Sequence, residues 1–123
     1  MDKLYTYSFD RFSQLYRRTL RGLGVTGELV RLKLGPIGSK NLRVLTHVTV
    51  ENLGHGYDKC RLGIDARGVD HYLDELQTIA ANELAVSRSD VLLFEGDSFF
   101  AELTGTTNDD VLIMTAIGWT KDL

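Results

Sequence analysis

The segment from Leu42 to Leu84 constrains the fold most, because its hydrophobic period changes along its length from two to about 3.6 residues. Alternation over 42–52 predicts a strand with one buried face. The residues in the buried phase are Leu42, Val44, Thr46, Val48 and Val50. A Gly-rich turn over 53–58 then leads into a second short strand over 59–65.

Residues 68–84 predict an amphipathic helix that begins near Gly68, because their apolar side chains recur at helical spacing. These side chains are Val69, Tyr72, Leu73, Leu76, Ala80 and Leu84. A helix that follows two strands and precedes others is typical of a small α+β domain.

A second helix is predicted in residues 1–24, with Ser8 as its N-cap and Gly22 and Gly24 as stop signals. Its apolar stripe comprises Phe9, Phe12, Leu15, Tyr16, Leu20 and Leu23. A rival interpretation makes 3–7 a short first strand, and both elements can coexist.

Further strands are predicted over 28–34, 91–94, 98–104 and 111–120. The last is almost continuously apolar, which is typical of a strand in the middle of a sheet with both faces covered. The complete prediction is one α+β domain over 1–123, with a helical extension at 1–24 and a mainly antiparallel sheet plus central helix at 28–120.

Composition indicates an ordinary globular protein, with 43% hydrophobic and 25% charged residues in 123. No apolar run reaches ~18 residues, so no membrane span is expected. The N-terminus has no apolar signal core, and the single cysteine, Cys60, cannot form an internal disulfide. These features predict a cytoplasmic protein.

Charge is unevenly distributed, at +4 over residues 1–34 and −7 over the remainder, for a net charge of −3. Opposite signs can reflect solvated faces, or a surface complementary to itself or to a charged partner protein. Overall acidity argues against general nucleic-acid binding, which needs a basic footprint.

No motif in the sequence assembles catalytic chemistry or implies a cofactor. The glycines at 22–27 match G-x-G-x-x-G, but a helix is predicted before them and a strand after them, the reverse of a dinucleotide site. Cys60 is in phase with Leu62 and Ile64, and therefore faces inward as a small hydrophobe. His55 and Asp58 are the best local pair for a ligand set, and no zinc spacing occurs.

Phe99 and Phe100 point to opposite faces of their strand, so one of them packs outside the main core. Together with Trp119 and Leu45, which is in the exposed phase of its strand, they indicate a second apolar face. The N-terminal helix could cover this face, or the face could be an interface. Asp109 and Asp110 lie in a predicted hairpin loop, where Asp favours the turn for local backbone reasons.

The order of elements over residues 28–120 resembles small bacterial immunity proteins of the WapI-like type. The resemblance is carried by Leu62-Gly63-Ile64-Asp65, Gly68-Val69-Asp70, Tyr72-Leu73-Asp74-Glu75-Leu76 and the strands near 99–103 and 111–119. It implies an α+β inhibitor that occludes a toxin without catalysis or cofactor.

The resulting hypothesis is a non-catalytic module that binds and blocks a partner protein, such as a toxin with a basic surface. Its predicted contact residues are Glu51, Asp58, Asp97, Phe100, Asp109, Asp110 and Trp119. One alternative is an enzymatic or small-molecule site near His55, Asp58 and Cys60, and another is a homo-oligomeric structural subunit.

Overall fold

The computed structural model describes residues 13–123, and this part of the chain contains nine strands and no helix. The strands are β1 (Ser13–Leu23), β2 (Val30–Lys33), β3 (Asn41–Asn52), β4 (Tyr57–Ala66), β5 (Val69–Ile79), β6 (Ala85–Val86), β7 (Val91–Leu93), β8 (Asp97–Thr104) and β9 (Val111–Asp122). The predicted α+β class is therefore wrong, and the described chain is all-β.

The strands form two antiparallel sheets packed face to face. Sheet A has the order β1-β9-β3-β6, with β7 also pairing with β3, and sheet B has the order β2-β8-β4-β5. The chain passes repeatedly from one sheet to the other and brings its last strand between its first and third. This strand order is that of a jelly roll, in which two Greek keys build a double-layered sandwich.

The core lies between the sheets and is almost purely aliphatic and aromatic. Sheet A contributes Leu45, Val48, Val50, Leu112, Met114 and Ala116, and sheet B contributes Leu32, Cys60, Leu62, Phe99, Ala101 and Leu103. Cys60 is fully buried here, as its phase with Leu62 predicted.

The predicted central helix is strand β5, which is hydrogen-bonded along β4. A two-residue turn at Arg67 and Gly68 joins them, and both residues have positive φ, at 54° and 93°. This geometry defines a hairpin turn matched to the strand twist. The register shifts where Tyr72 pairs with Gly63 and Asp74 with Leu62, so that Leu73 is an extra residue. Such a bulge breaks the period of two and leaves apolar spacing that imitates a helix.

The predicted N-terminal helix is also wrong where the structure describes it, because residues 13–23 form β1. This strand pairs with β9 over its full length. Tyr16 and Leu20 pack against the core, whereas Leu15 and Leu23 point outward and are exposed. Apolar residues on both faces of one strand produced the apparent helical stripe. Residues 1–12, with Ser8, Phe9, Phe12 and the rival strand, lie outside the described part.

The remaining predicted strands are confirmed within a few residues, and β9 occupies the middle of sheet A as its apolar sequence predicted. In β3, however, a bulge between Leu45 and His47 reverses the phase. Leu45, assigned to an exposed face, is consequently fully buried, and Val44 points outward with Trp119.

Substitution at Gly118 tests the closest backbone approach in sheet A. A Cβ at this position would lie 1.8 Å from the Val44 carbonyl oxygen, whereas one at Gly35 would meet nothing within 4 Å. We expect Gly118→Ala to lower the free energy of unfolding by about 3 kcal/mol or more, because backbone must move. Urea denaturation measures this. Gly35→Ala is the control, and equal stability of both variants would contradict the packing described.

Candidate interaction surface

The side of sheet A that points away from sheet B is here called the outer face of sheet A. It is centred on the outward residues of β9, which are Val111, Ile113, Thr115, Ile117 and Trp119. The pairing register places a β1 residue beside each of these five residues, and a β3 residue on the other side of all but Val111. The flanking side chains are Leu15, Arg17, Thr19, Arg21 and Leu23 on β1, and Val44, His47, Thr49 and Glu51 on β3.

These side chains form transverse rows across the sheet. Ile113 lies between Arg21 and Glu51, and Ile117 lies between Arg17 and His47. Between these two rows is one made only of threonines, Thr19, Thr115 and Thr49, and the first two are within hydrogen-bond distance at 3.4 Å. The middle of the face is therefore free of charge. Its charged groups lie on the flanking strands and at the end of β9, where Lys121 follows Trp119 in the outward phase.

Apolar side chains on this face are open to solvent. Leu15 is 81% exposed, Leu23 57%, Leu92 47% and Ile117 39%. An open depression of about 420 Å³ lies along the β1–β9 pair, lined by Leu15, Tyr16, Arg17, Ile117 and Gly118. Contiguous exposed apolar surface with polar surroundings is typical of interaction sites.

The outer face of sheet B is different, because its charged groups neutralise one another. Arg31 pairs with Asp70 at 2.7 Å and with Glu102, whose other carboxylate oxygen accepts the Tyr72 hydroxyl at 3.0 Å. On either side, Lys33 pairs with Asp65 at 2.6 Å and Arg61 with Glu75 at 2.7 Å.

These pairs shift the pKa values of their members in the expected directions. The hydrogen bond to Asp70 raises the pKa of Arg31 above its usual value, against the opposing effect of desolvation. The hydrogen bond from Arg31 likewise lowers the pKa of Asp70, and Lys33 does the same for Asp65. Because its carboxylates are engaged within the sheet, this face offers little free charge to a partner.

Phe100 belongs to the outer face of sheet B, where it is fully buried by its neighbours. The Arg31 guanidinium lies 4.1 Å from the ring centroid, and Tyr72 contacts the ring edge-on with centroids 5.6 Å apart. Phe99 and Phe100 therefore point to opposite faces, as predicted, and Phe100 is the one outside the core. It lies on the opposite side of the molecule from Trp119. The structure does not bring these two aromatic residues onto one surface.

Asp110 is the centre of a buried polar corner at one end of the sandwich. Its carboxylate accepts hydrogen bonds from the Asn52 amide at 2.8 Å and the Thr107 N–H at 2.9 Å, and lies 2.6 Å from His55 Nδ1. Burial alone would raise the pKa of Asp110, but these hydrogen bonds outweigh it and lower the pKa below its ordinary value of 3.8. A satisfied carboxylate of this kind fixes the loops around it.

The other predicted contact residues are dispersed. Glu51 and Trp119 share the outer face of sheet A. Asp58 lies against Gly105, and the Asp97 carboxylate accepts the Phe94 N–H at 2.9 Å. Asp109 is exposed in the loop beside Asp110, with a positive φ of 66°. Of these acidic residues, Glu51 lies on the outer face of sheet A, and the Asp97 and Asp110 carboxylates accept hydrogen bonds from within the chain.

The residues of the alternative site near His55 lie in different environments. The structure pairs the imidazole with Asp110, and burial raises the pKa of the Cys60 thiol to about 12. A thiol in that state is inert as a nucleophile. Within residues 13–123, no group of three or more His, Cys, Asp or Glu side chains is arranged to hold a metal ion. The same residues include no helix able to cross a membrane.

Sequence reasoning missed Arg21, Ile113 and Ile117 as surface residues. The available signal was the β9 sequence itself, because a strand that is apolar at every position must direct half of its side chains away from the core of a two-layer fold. Because the sequence predicted that both faces of this strand are covered, its outward residues were not assigned to the surface.

No protein-family model matches the sequence, and no curated protein matches it either. Solved structures do match in fold. A protein described as an α-L-fucosidase of Bacteroides thetaiotaomicron VPI-5482 has a TM-score of 0.52 at 11% identity, over 79% of this chain and 21% of its own. A subunit of Bacillus endospore appendages has a TM-score of 0.51 at 8% identity, over 91% of this chain and 89% of its own. A chain of the acid-stable capsid of Helicobacter pylori bacteriophage KHP30 has a TM-score of 0.50 at 12% identity, over 83% of this chain and 93% of its own. At these identities the likeness concerns the fold alone.

The polar corner predicts an acid-dependent stability. Because the folded-state pKa of Asp110 is lowered, its ionisation stabilises the native state above the ordinary pKa near 3.8, and this contribution is lost as pH falls through the folded-state pKa. Asp110→Asn should lower the free energy of unfolding at pH 7 by about 1–3 kcal/mol. The deficit should shrink in acid. Thermal unfolding between pH 7 and pH 3 measures both.

Asp109→Asn is the matched control for the polar corner, since Asp109 is exposed and Asn tolerates its positive φ. It should unfold like the wild type at every pH. A constant difference between Asp110→Asn and wild type over the whole pH range would argue against an ionised Asp110 in the corner.

The stacking of Arg31 on the Phe100 ring predicts that a lysine at position 31 destabilises the protein. A lysine has no planar group to stack on the ring and cannot reach Glu102 and Asp70 with a fork of donors. Arg31→Lys should therefore lower the free energy of unfolding by about 1–2 kcal/mol. Arg88→Lys is the control, because Arg88 is 75% exposed and lies 3.8 Å from Asp74. Guanidinium titration showing equal losses in both would refute the stacking argument.

Proposed function

We propose that this protein is a non-catalytic binding module that engages another protein through the outer face of sheet A. The observation that carries the proposal is the row of apolar β9 side chains, flanked by exposed Leu15, Leu23 and Leu92, on the side of sheet A that residues 13–123 leave open. A flat apolar surface with charges at its margins has the anatomy of a protein interface.

The chemistry of the face defines the kind of partner. Thr19, Thr49 and Thr115 keep its middle row low and uncharged. A partner must therefore present a comparably flat and largely apolar surface, such as another sheet. Burial of such side chains supplies most of the free energy of association, and the flanking Arg21 and Glu51 give orientation.

This proposal keeps protein binding from the sequence hypothesis and moves the contact surface. Blocking a basic toxin through an acidic rim would require convergent carboxylates. The structure instead engages the Asp110 and Asp97 carboxylates in internal hydrogen bonds. The segment that resembled the immunity-protein helix, 69–76, is part of β5.

Introducing a charge at Ile117 tests the proposal. Ile117→Arg places a cation in the apolar part of the face, and it should reduce the retention of any specific partner from native lysate about tenfold or more. Quantitative capture with tagged wild-type and variant protein measures the difference.

The control for Ile117→Arg is Leu73→Arg, which adds the same charge at a 48% exposed apolar residue of sheet B. It should retain partners like the wild type. The proposal fails if Ile117→Arg captures the same proteins in the same amounts as the control, or if wild type captures nothing that depends on sheet A, its own chain included.

A further inference from the structure

We infer that the partner of the outer face of sheet A is a second copy of this chain, packed face to face around a two-fold axis that runs along β9. This inference rests on the proposed function and specifies it. The reasons are the order of charges across the face, its size and its symmetry about β9.

A two-fold axis parallel to β9, lying between two stacked sheets, reverses the order of strands in the facing copy. The β3 strand of one copy then lies over β1 of the other, while β9 packs on β9. Because the axis runs along the strands, residues keep their height, and each transverse row meets the same row of the second copy. An interface built from the same patch on both subunits is the commonest form of oligomer contact.

Charge complementarity is provided by the row that contains Ile113, whereas the row that contains Ile117 places Arg17 opposite His47 and adds no ion pair. Arg21 lies on the β1 side of Ile113 and Glu51 lies on the β3 side. In the stacked arrangement, Arg21 of each copy faces Glu51 of the other, so that one row provides two interchain ion pairs. Stacked sheets cross at about −30°, which displaces neighbouring strands by only a few Å, within reach of an arginine side chain.

The centre of the interface is apolar in the same arrangement. Ile113 and Ile117 lie on β9, close to the axis, and each meets its own copy. Thr115 lies between them as a small residue that lets the two sheets approach. An apolar centre surrounded by charged margins is the usual organisation of an interface between identical subunits.

The size of the face approaches that of a specific interface. Strands β1, β9 and β3 pair over eleven residues, and the three-residue β7 lies beside β3. At about 3.4 Å per residue and about 4.8 Å per strand, the three long strands cover about 540 Å² and β7 adds about 50 Å². A specific interface buries about 800 Å² on each partner, so the flat area of the face is about three quarters of that value.

Two complementary charge reversals test the arrangement. Arg21→Glu alone would place Glu opposite Glu twice, and Glu51→Arg alone would place Arg opposite Arg twice. Each variant should dissociate as a homodimer at about tenfold or more higher concentration than the wild type. Mixed together, the two variants should form a heterodimer of wild-type strength. In that heterodimer, both interchain contacts of the Ile113 row again pair opposite charges.

Sedimentation velocity with differently tagged copies measures all three states, and circular dichroism establishes that each variant is folded. The wild type should sediment at twice the chain mass of 13.8 kDa. Leu73→Arg, on the other sheet, should dimerise like the wild type. The inference is overturned if the wild type is a monomer at every accessible concentration, or if the mixture associates no better than each variant alone.

The two proposals fail separately. A wild-type monomer whose capture of another protein is abolished by Ile117→Arg would refute the second copy and uphold sheet A as a binding surface. Dimers that withstand Ile117→Arg would refute the second copy, and they would refute both proposals if Ile117→Arg also captured other proteins as the wild type does.

Discussion

Strand β9 has two apolar faces, while a two-layer sandwich has only one interior. Leu112, Met114 and Ala116 fill the space between the sheets, where they are fully buried. The alternate residues, including Ile113 and Ile117, must then point outward, because successive side chains of a strand alternate. Central placement between β1 and β3 satisfies the backbone of β9, but it does not cover these side chains. This mismatch leaves an apolar row on the outer face of sheet A.

The two outer faces of the sandwich differ in how far the chain covers their apolar side chains. On sheet B, the aromatic residue that points outward is Phe100, and the chain covers it with Arg31, Tyr72 and a network of ion pairs. On sheet A, the outward residues are aliphatic or threonine over most of the area, and polar groups occur mainly on the flanking strands. The outward aromatic residue of one face is thus covered within the chain, whereas apolar residues of the other face are exposed in the described part of the chain.

The sequence was informative about strands and misleading about helices. Periods of two identified β3 and the inward phase of Cys60, and the continuous apolar run placed β9 at the centre of a sheet. The helical spacing over 69–84 came from a strand with an extra residue at Leu73 and apolar groups on both faces, followed by a loop over 80–84. A local signal was available in Arg67-Gly68, since a Gly-containing pair between two apolar runs favours a hairpin. The β3 bulge that turned Leu45 inward had no comparable signal.

The candidate surface was only partly predictable for the same reason. Glu51 and Trp119 were identified from the sequence, and both lie on the outer face of sheet A. Arg21 could not be identified from the sequence, because a residue assigned to a helix has no predicted neighbour on β9. Pairing register decides which charges face each other, and it depends on the packing of the whole sheet.

The most direct test of the central claim uses Trp119, the only tryptophan in the chain, which is partly exposed on the outer face of sheet A. Its fluorescence emission should move to longer wavelength, with greater access to iodide quencher, as the wild-type protein is diluted and the face becomes exposed to water. Emission and quenching that do not change with concentration, and that match those of Ile117→Arg throughout, would contradict the claim that this face is covered by a second copy.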